Sequence, residues 1–426
     1  MHVIVIGAGL LGVSSAYYLR RHGVDVTVLD GESGPAMGAS HGNGGYVQAS
    51  VADPWNAPGV FKMFAQAWMA GLGSKSESSA FVTRTGALPG LASWGLRFLK
   101  NSTAEIYLQH TLLNSRLARY SLHALAQIDA DEGFSYSQSD TGGLIIFRSE
   151  EALLAYRQLS EQVCGEEMRF ECLDRDALLQ KEPSLCGISG ELAGAVYFPS
   201  DHAGDSREFC EQLAATTTNQ GTQFLFDTVV TGIDTTNGRV QISTLQEVHQ
   251  ADAVVIAAGV GSSKLAKSLG IYLPIAPAKG YSITIPMNDW ADRPSHVIAD
   301  MGVHAGVNPI GNALRVAGTA EFAGMKTGIS EERVDYLIAL TGQVFPEFAA
   351  TIDPGDVSPW AGHRPLSADG LPILGSTVVE NVYMNTGHGG LGWSQAAGSG
   401  RAVADQIVGV ERSFDVSDYS IGRFSK

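Results

Sequence analysis

"HVIVIGAGLLGVSSAYYLRRHGVDVTVLD", residues 2–30, decides the fold of this chain. Residues 3–6 are continuously apolar and predict a buried strand. Gly7, Gly9 and Gly12 follow in the spacing G-x-G-x-x-G, and the pattern beyond them predicts a helix to about His22, capped by Gly23. Residues 24–29 predict a second strand, with Asp30 at its end. Each part has a task in gripping a dinucleotide. Gly7 makes the tight turn, Gly9 lets the backbone approach a pyrophosphate, and Gly12 lets the helix close on the strand. Ala8, Leu10 and Leu11 complete the turn and open the helix, whose positive end faces the phosphates. Asp30 can accept hydrogen bonds from a ribose diol, which favours NAD or FAD over NADP. A glycine-rich turn alone is common; strand, turn, helix, cap, strand and acid in register are not.

Later segments choose between the two dinucleotides. "ADAVVIAAGVGSSKLAKSLG" (251–270) reads as a buried strand ending at Ala258 and Gly259, then a helix. Just upstream, "TQFLFDTVVTGID" (222–234) supplies strands and places the Val230 backbone to touch an adenine. Far downstream, "NVYMNTGHGGLGWSQAAGSGRAVADQIVG" (381–409) gives a strand, a glycine-rich turn and a helix from about Leu391, so the nucleotide fold is discontinuous. A flavin gains negative charge along one edge on reduction. Gly387, Gly389, Gly390 and Gly392 let backbone N–H groups and a helix dipole approach such an edge. A nicotinamide needs no second cradle, so FAD is expected. His388 within this turn is read as a loop residue held by its neighbours rather than as a base.

Composition narrows the function further. The chain has 426 residues and a net charge of −16, from 44 acidic against 28 basic side chains. Such a chain lacks the basic face that nucleic acid requires and is repelled by anionic lipid. Cys164, Cys172, Cys186 and Cys210 form no CxxC pair, which predicts reduced thiols and no metal. No apolar run is long enough to span a bilayer, and a strand starting at residue 2 leaves no room for a signal peptide. A cytoplasmic location follows, at most facing the inner membrane.

A sparse supply of cations makes "WAGHRPLSADGLPILG" (360–375) informative. Arg364 stands alone there among glycines, prolines and apolar residues, as a guanidinium that grips a small anion would. The competing reading is a structural salt bridge to Asp369.

With these residues in view the chain resembles the D-amino acid oxidase superfamily of FAD flavoproteins, and within it the bacterial D-amino acid dehydrogenase small subunits. The likeness also rests on "GASHGNGGYV" (38–47), "PWNAPG" (54–59), "PSDHAGD" (199–205), "PAKGYSIT" (277–284) and "RVAGTAEFAG" (315–324). It implies that Ser40, His41, Asn43 and Gly44 run beside the flavin ring and that Arg364 binds a substrate carboxylate. It implies oxidative deamination of a D-amino acid to a 2-oxo acid and ammonia, with hydride passing from Cα to the flavin. A quinone-linked acceptor would then take the electrons. Relatives acting on D-hydroxyproline, on other imino acids, or on glycine and sarcosine with peroxide formation keep those substrates open. Some sarcosine-oxidising relatives attach flavin to a cysteine near the C-terminal arginine; no cysteine follows Cys210, so non-covalent FAD is expected.

The fold class expected is α/β: a discontinuous Rossmann-like FAD-binding part at 1–50, 198–270 and 356–426, and an α+β substrate part at 51–197 and 271–355. The latter combines helices near 87–130, 150–163, 173–185 and 331–343 with an antiparallel sheet including strands near 143–147, 279–286 and 313–318. Tyr281 and His304 fall on expected strands of that sheet, as substrate contacts or as plain sheet positions. Phe61, Phe64, Ala65, Trp68, Met69 and Leu72 form one helical stripe. Packing on the substrate part is the simpler reading; a weak peripheral membrane contact near a quinone is the other.

Overall fold

A computed structural model describes residues 1–60, 81–236, 238–411 and 413–425. Val3 and Val5 point to one side of the strand His2–Ile6, Ile4 and Ile6 to the other, and all four are buried. A strand that is apolar on both faces needs cover on both. It lies inside a six-stranded sheet ordered Ile373–Ser376, Val382–Thr386, Ala253–Ile256, His2–Ile6, Asp25–Leu29, Gln223–Leu225. All pairings are parallel except that of the edge strand Ile373–Ser376. Helices Leu10–Arg21, Ala104–Glu132, Ser206–Asn219 and Gly392–Val408 cover one face. The small sheet of Val230–Thr236, Arg239–Thr244 and Val248–Ala251, with helix Ser262–Ser268, covers the other.

The second sheet has ten strands, among them Gly143–Phe147, Ile275–Pro286, Ala305–Ile310, Ala313–Ala317 and Ser358–Ser367. Side chains alternate along each strand. In Ile275–Pro286 the odd positions Tyr281, Ile283 and Ile285 enter a core with Leu337, Leu340 and Val344 of helix Glu331–Val344. Even positions face the loop 38–47 instead: Ser282 donates its hydroxyl to Gly42 O. This face is where the two sheets meet.

The α/β class matches the expectation, with three local differences. The helix expected at 87–130 is two helices, Leu88–Lys100 and Ala104–Glu132, the second capped by Thr103 and packed both with the nucleotide-side helices and, through Ala118, with Ile145 and Phe198 of the large sheet. In 173–185 the helix is only Arg175–Lys181, and it stops before Pro183, which opens a 3-10 stretch. The strand Ser358–Ser367, expected in the FAD-binding part, pairs along Ile275–Pro286 in the large sheet. Among the described residues no helix is long and apolar enough to cross a membrane. The stripe at 61–72 lies outside the described residues.

Candidate active site

The turn after the first strand is built on close backbone approach. Gly7 has φ +110, and a Cβ on Gly12 would stand 1.7 Å from Gly7 O. Gly9 caps the helix Leu10–Arg21, and Leu10 N–H donates to Ser40 Oγ at 3.1 Å. The Asp30 carboxylate accepts from Ala8 N–H and, at 2.8 Å, from Glu32 N–H, while burial raises its pKa. Val230 opens the strand beside it, where Thr228 N–H donates to Asp30 O at 2.8 Å.

A second glycine-rich turn lies where the sheets meet. Residues 387–391 line a cleft of about 180 Å³ together with Gln48, Asp53, Trp55, Leu366 and Ser367. Among the described residues, three buried polar atoms of this lining have no hydrogen-bond partner: Gln48 Oε1, Ser367 Oγ and His388 Nδ1. His388 Nε2 meets Ser399 Oγ at 2.9 Å, and burial pushes the imidazole down to about 3, so it is neutral at working pH. Thr386 Oγ1 donates to Gly259 O at 3.1 Å, tying this turn to the one after Ala253–Ile256.

Arg364 is placed by strand register. Ala278 pairs with Arg364, Gly280 with Gly362 and Ser282 with Trp360, so all six share the inward face. The guanidinium lies against Gly280, where a Cβ would be 1.9 Å from Nη1. Nη1 donates to Thr319 O at 3.2 Å, and Cζ stands 5.7 Å from the Trp55 ring centre. Among the described residues no acid pairs with it: Asp369, the rival partner, is bound instead by Arg423, with Nε 2.6 Å from Oδ2. Burial lowers its pKa to about 10, so it stays charged at neutral pH.

The other candidates divide. His41 stacks on Trp360 at 6.4 Å and approaches Arg207 Nη1 at 3.4 Å; burial first, then Arg207, lowers its pKa. Tyr281 is not in this site. It points to the opposite face, buried, with its hydroxyl on Glu321 Oε2 at 2.8 Å, because odd and even strand positions cannot share a face. His304 is not on a strand but in the exposed turn after Val297–Asp300, at φ +54, its ring 6.2 Å from Phe81. Phe81 in turn meets Trp55 at 5.9 Å.

The family model described as FAD dependent oxidoreductase (DAO) matches residues 2–406. The chain belongs to this family of FAD-dependent oxidoreductases. The D-amino acid dehydrogenase of Rhizobium johnstonii is 36% identical over 428 residues, covering 100% of both chains. That of Bradyrhizobium diazoefficiens is 35% identical over 429 residues, covering 100% of this chain and 99% of its own. Among solved structures, glycine oxidase from Geobacillus kaustophilus gives a TM-score of 0.74 at 20% identity over 98% of this chain and 97% of that one. L-Proline dehydrogenase from P. horikoshii gives 0.77 at 18% identity over 100% and 97%. These two likenesses concern the fold.

The residues of this flavoprotein fit FAD. The Gly7–Gly12 contact gives the close helix–strand packing of a dinucleotide turn, and the atoms of Gln48, Ser367 and His388 left without partners among the described residues give the cleft a polar lining that suits a flavin edge. Sequence reasoning missed Trp360 as a wall of the site. Its ring folds over Gly362, where a Cβ would be 2.2 Å from Cη2, and over Gly42, at 2.8 Å from Cγ. The only signal was indirect: glycines at 280 and 362 become neighbours once the strand register is known.

Proposed function

We propose that the chain oxidises D-amino acids to 2-oxo acids and ammonia and passes the electrons to a quinone-linked acceptor. One observation carries the reading: a partly buried guanidinium, Arg364, with no acidic partner among the described residues, on the sheet face that meets the flavin cleft. The full-length likeness to proteins named D-amino acid dehydrogenase supports the stereochemical choice. FAD, when bound, supplies a two-electron acceptor for the hydride leaving the substrate α-carbon. Arg364 holds the carboxylate with its planar fork, fixing the α-carbon relative to the cleft. The Trp55 ring centre stands 5.7 Å from Arg364 Cζ, and Trp360 covers Gly362 on the same sheet face. Burial makes the His388 imidazole a weak base and Tyr281 faces away, so neither is assigned to take a proton from the substrate. The substrate reacts with its amine neutral; the resulting imine is hydrolysed by water, releasing ammonia.

Anaerobic mixing with D- and L-amino acids, glycine, sarcosine and prolines tests this. Bleaching of the flavin by D-amino acids supports the reading; bleaching only by glycine, sarcosine or L-substrates overturns it. Turnover with quinone vesicles against oxygen consumption decides the acceptor. Arg364→Ala is expected to keep FAD yet lower kcat/KM by orders of magnitude, since losing a buried charge-assisted pair costs about 2–5 kcal/mol. Arg364→Lys recovers little, because a point charge cannot hold the carboxylate bidentately.

A further inference from the structure

Three consecutive carbonyls of the loop 38–47 are held by side chains from three adjacent strands of the large sheet. Ser282, on Ile275–Pro286, donates its hydroxyl to Gly42 O. Arg315, on Ala313–Ala317, donates Nη1–H to Asn43 O at 2.9 Å. Asn308, on Ala305–Ile310, donates Nδ2–H to Gly44 O at 2.6 Å. Those strands neighbour one another in that order, so the loop crosses the sheet one strand per residue. All three side chains are buried. Arg315 is fixed further by Thr284 Oγ1 at 2.7 Å and by Asp205 Oδ2 at 3.0 Å, and Asp205 also caps the helix Ser206–Asn219.

A planar trans peptide directs its C=O and the following N–H to opposite sides. Drawing the Gly42 and Asn43 carbonyls onto the sheet therefore turns the Asn43 and Gly44 N–H groups away from it, toward the nucleotide side. The third N–H, of Gly45, is taken by Asn43 Oδ1 at 2.9 Å. Among the described residues the Asn43 and Gly44 N–H groups have no acceptor within the protein.

We infer that Ser282, Arg315 and Asn308 are positioning residues that aim these two backbone donors at the flavin and thereby set how readily it is reduced. Donors fixed in advance beside growing negative charge stabilise it without reorganisation. The anchor Ser282 and the paired strand of Arg364 belong to the same sheet, so carboxylate clamp and donor pair share one frame. A loop merely tethered for stability would leave the flavin's electron affinity unchanged when a tether is cut.

Ser282→Ala and Asn308→Ala each release one carbonyl; the first removes a single oxygen, and the second also removes the Oδ1 that accepts from Ile298 N–H at 3.3 Å. In the FAD-loaded protein each should weaken flavin reduction about tenfold, a fall of ~30 mV for a two-electron couple, read by equilibration with a reference dye. Amide hydrogen exchange over 42–46 should quicken in the same samples. Ser121→Ala is the matched control, since the Ser121 hydroxyl accepts from Gly398 N–H at 3.0 Å between two buried helices. It should lower the melting temperature and leave the potential alone. Unchanged potentials in both anchor variants, or an equal fall in the control, would overturn the inference.

Discussion

The guanidinium of Arg364 occupies the space a side chain at Gly280 would need: a Cβ there would lie 1.9 Å from Nη1 and 2.4 Å from Cζ. The two residues sit on paired strands, Ala278 opposite Arg364 and Gly280 opposite Gly362. The absence of a side chain at 280 is thus what allows the cation its place on the sheet face.

Gly280→Ala should therefore act as a variant of Arg364 without touching Arg364. The guanidinium must swing off the sheet, and misplacement by an ångström or so can cost ~100-fold in rate. FAD content should match the parent, because the dinucleotide turn is elsewhere. Steady-state kinetics beside flavin absorbance per protein reads both; unchanged kcat/KM would place the carboxylate contact elsewhere.

Tyr281→Phe separates the two faces of the same strand. The lost hydroxyl bonds Glu321, which Arg84 also holds through Nε at 2.7 Å. A hydrogen bond to a charged group contributes about 1.5–3 kcal/mol, so the melting temperature should fall. Turnover should stay within about twofold, the bound below which a substrate contact of even ~0.5 kcal/mol would go unseen. A loss confined to kcat/KM, at unchanged stability, would return Tyr281 to the site.

The contrast between Arg364 and Tyr281 shows what the sequence could and could not carry. The nucleotide turn was legible because all its parts are local: glycine spacing, apolar strands and a terminal acid lie within 2–30. That Arg364 stands apart from Asp369 was legible because a lone cation among glycines and prolines has few structural partners, and Asp369 is bound by Arg423. Which face a strand residue shows is a matter of period and register with a partner distant in sequence. Tyr281 and Arg364 differ by one position of parity in a pairing between 275–286 and 358–367, and no local pattern states it. His304, expected on a strand, was misplaced for a related reason: it ends the left-handed turn between the strands Val297–Asp300 and Ala305–Ile310.

Gly9 and Gly12 should fail in different ways when replaced by alanine. At Gly12 the new Cβ meets the backbone oxygen of Gly7 at 1.7 Å, which cannot yield without moving the strand. At Gly9 it meets only Ser40 Oγ, at 3.2 Å, the end of a side chain that can turn. Gly12→Ala should then cost about 1–3 kcal/mol of fold stability or more. Gly9→Ala should keep the fold and weaken FAD by crowding the pyrophosphate. Thermal melts without added FAD, beside FAD titration, distinguish them; equal melting temperatures would contradict the packing argument.

His388 gives a pH prediction with a definite sign. Its imidazole is buried, with Nε2 on Ser399, and burial lowers its pKa to about 3. In the unfolded chain it would titrate near ~6.5. Between those values the unfolded state binds the extra proton, so stability rises with pH: it is fully present above the unfolded value and lost on acidification. One proton over the interval from about pH 6.5 to about pH 5 amounts to ~2 kcal/mol. Asp201 pulls the other way, since burial raises its carboxyl to about 6 and makes the folded state the one that holds the proton. Wild-type stability alone therefore mixes opposing slopes, and the difference between two proteins that share Asp201 isolates His388. Urea unfolding of the parent and of His388→Asn, at about pH 7.5 and about pH 5 with equal FAD, should show the parent losing ~2 kcal/mol more on acidification. Parallel losses would mean that His388 is protonated in the folded chain, and a cationic imidazole would then sit at the cleft that residues 387–391 line.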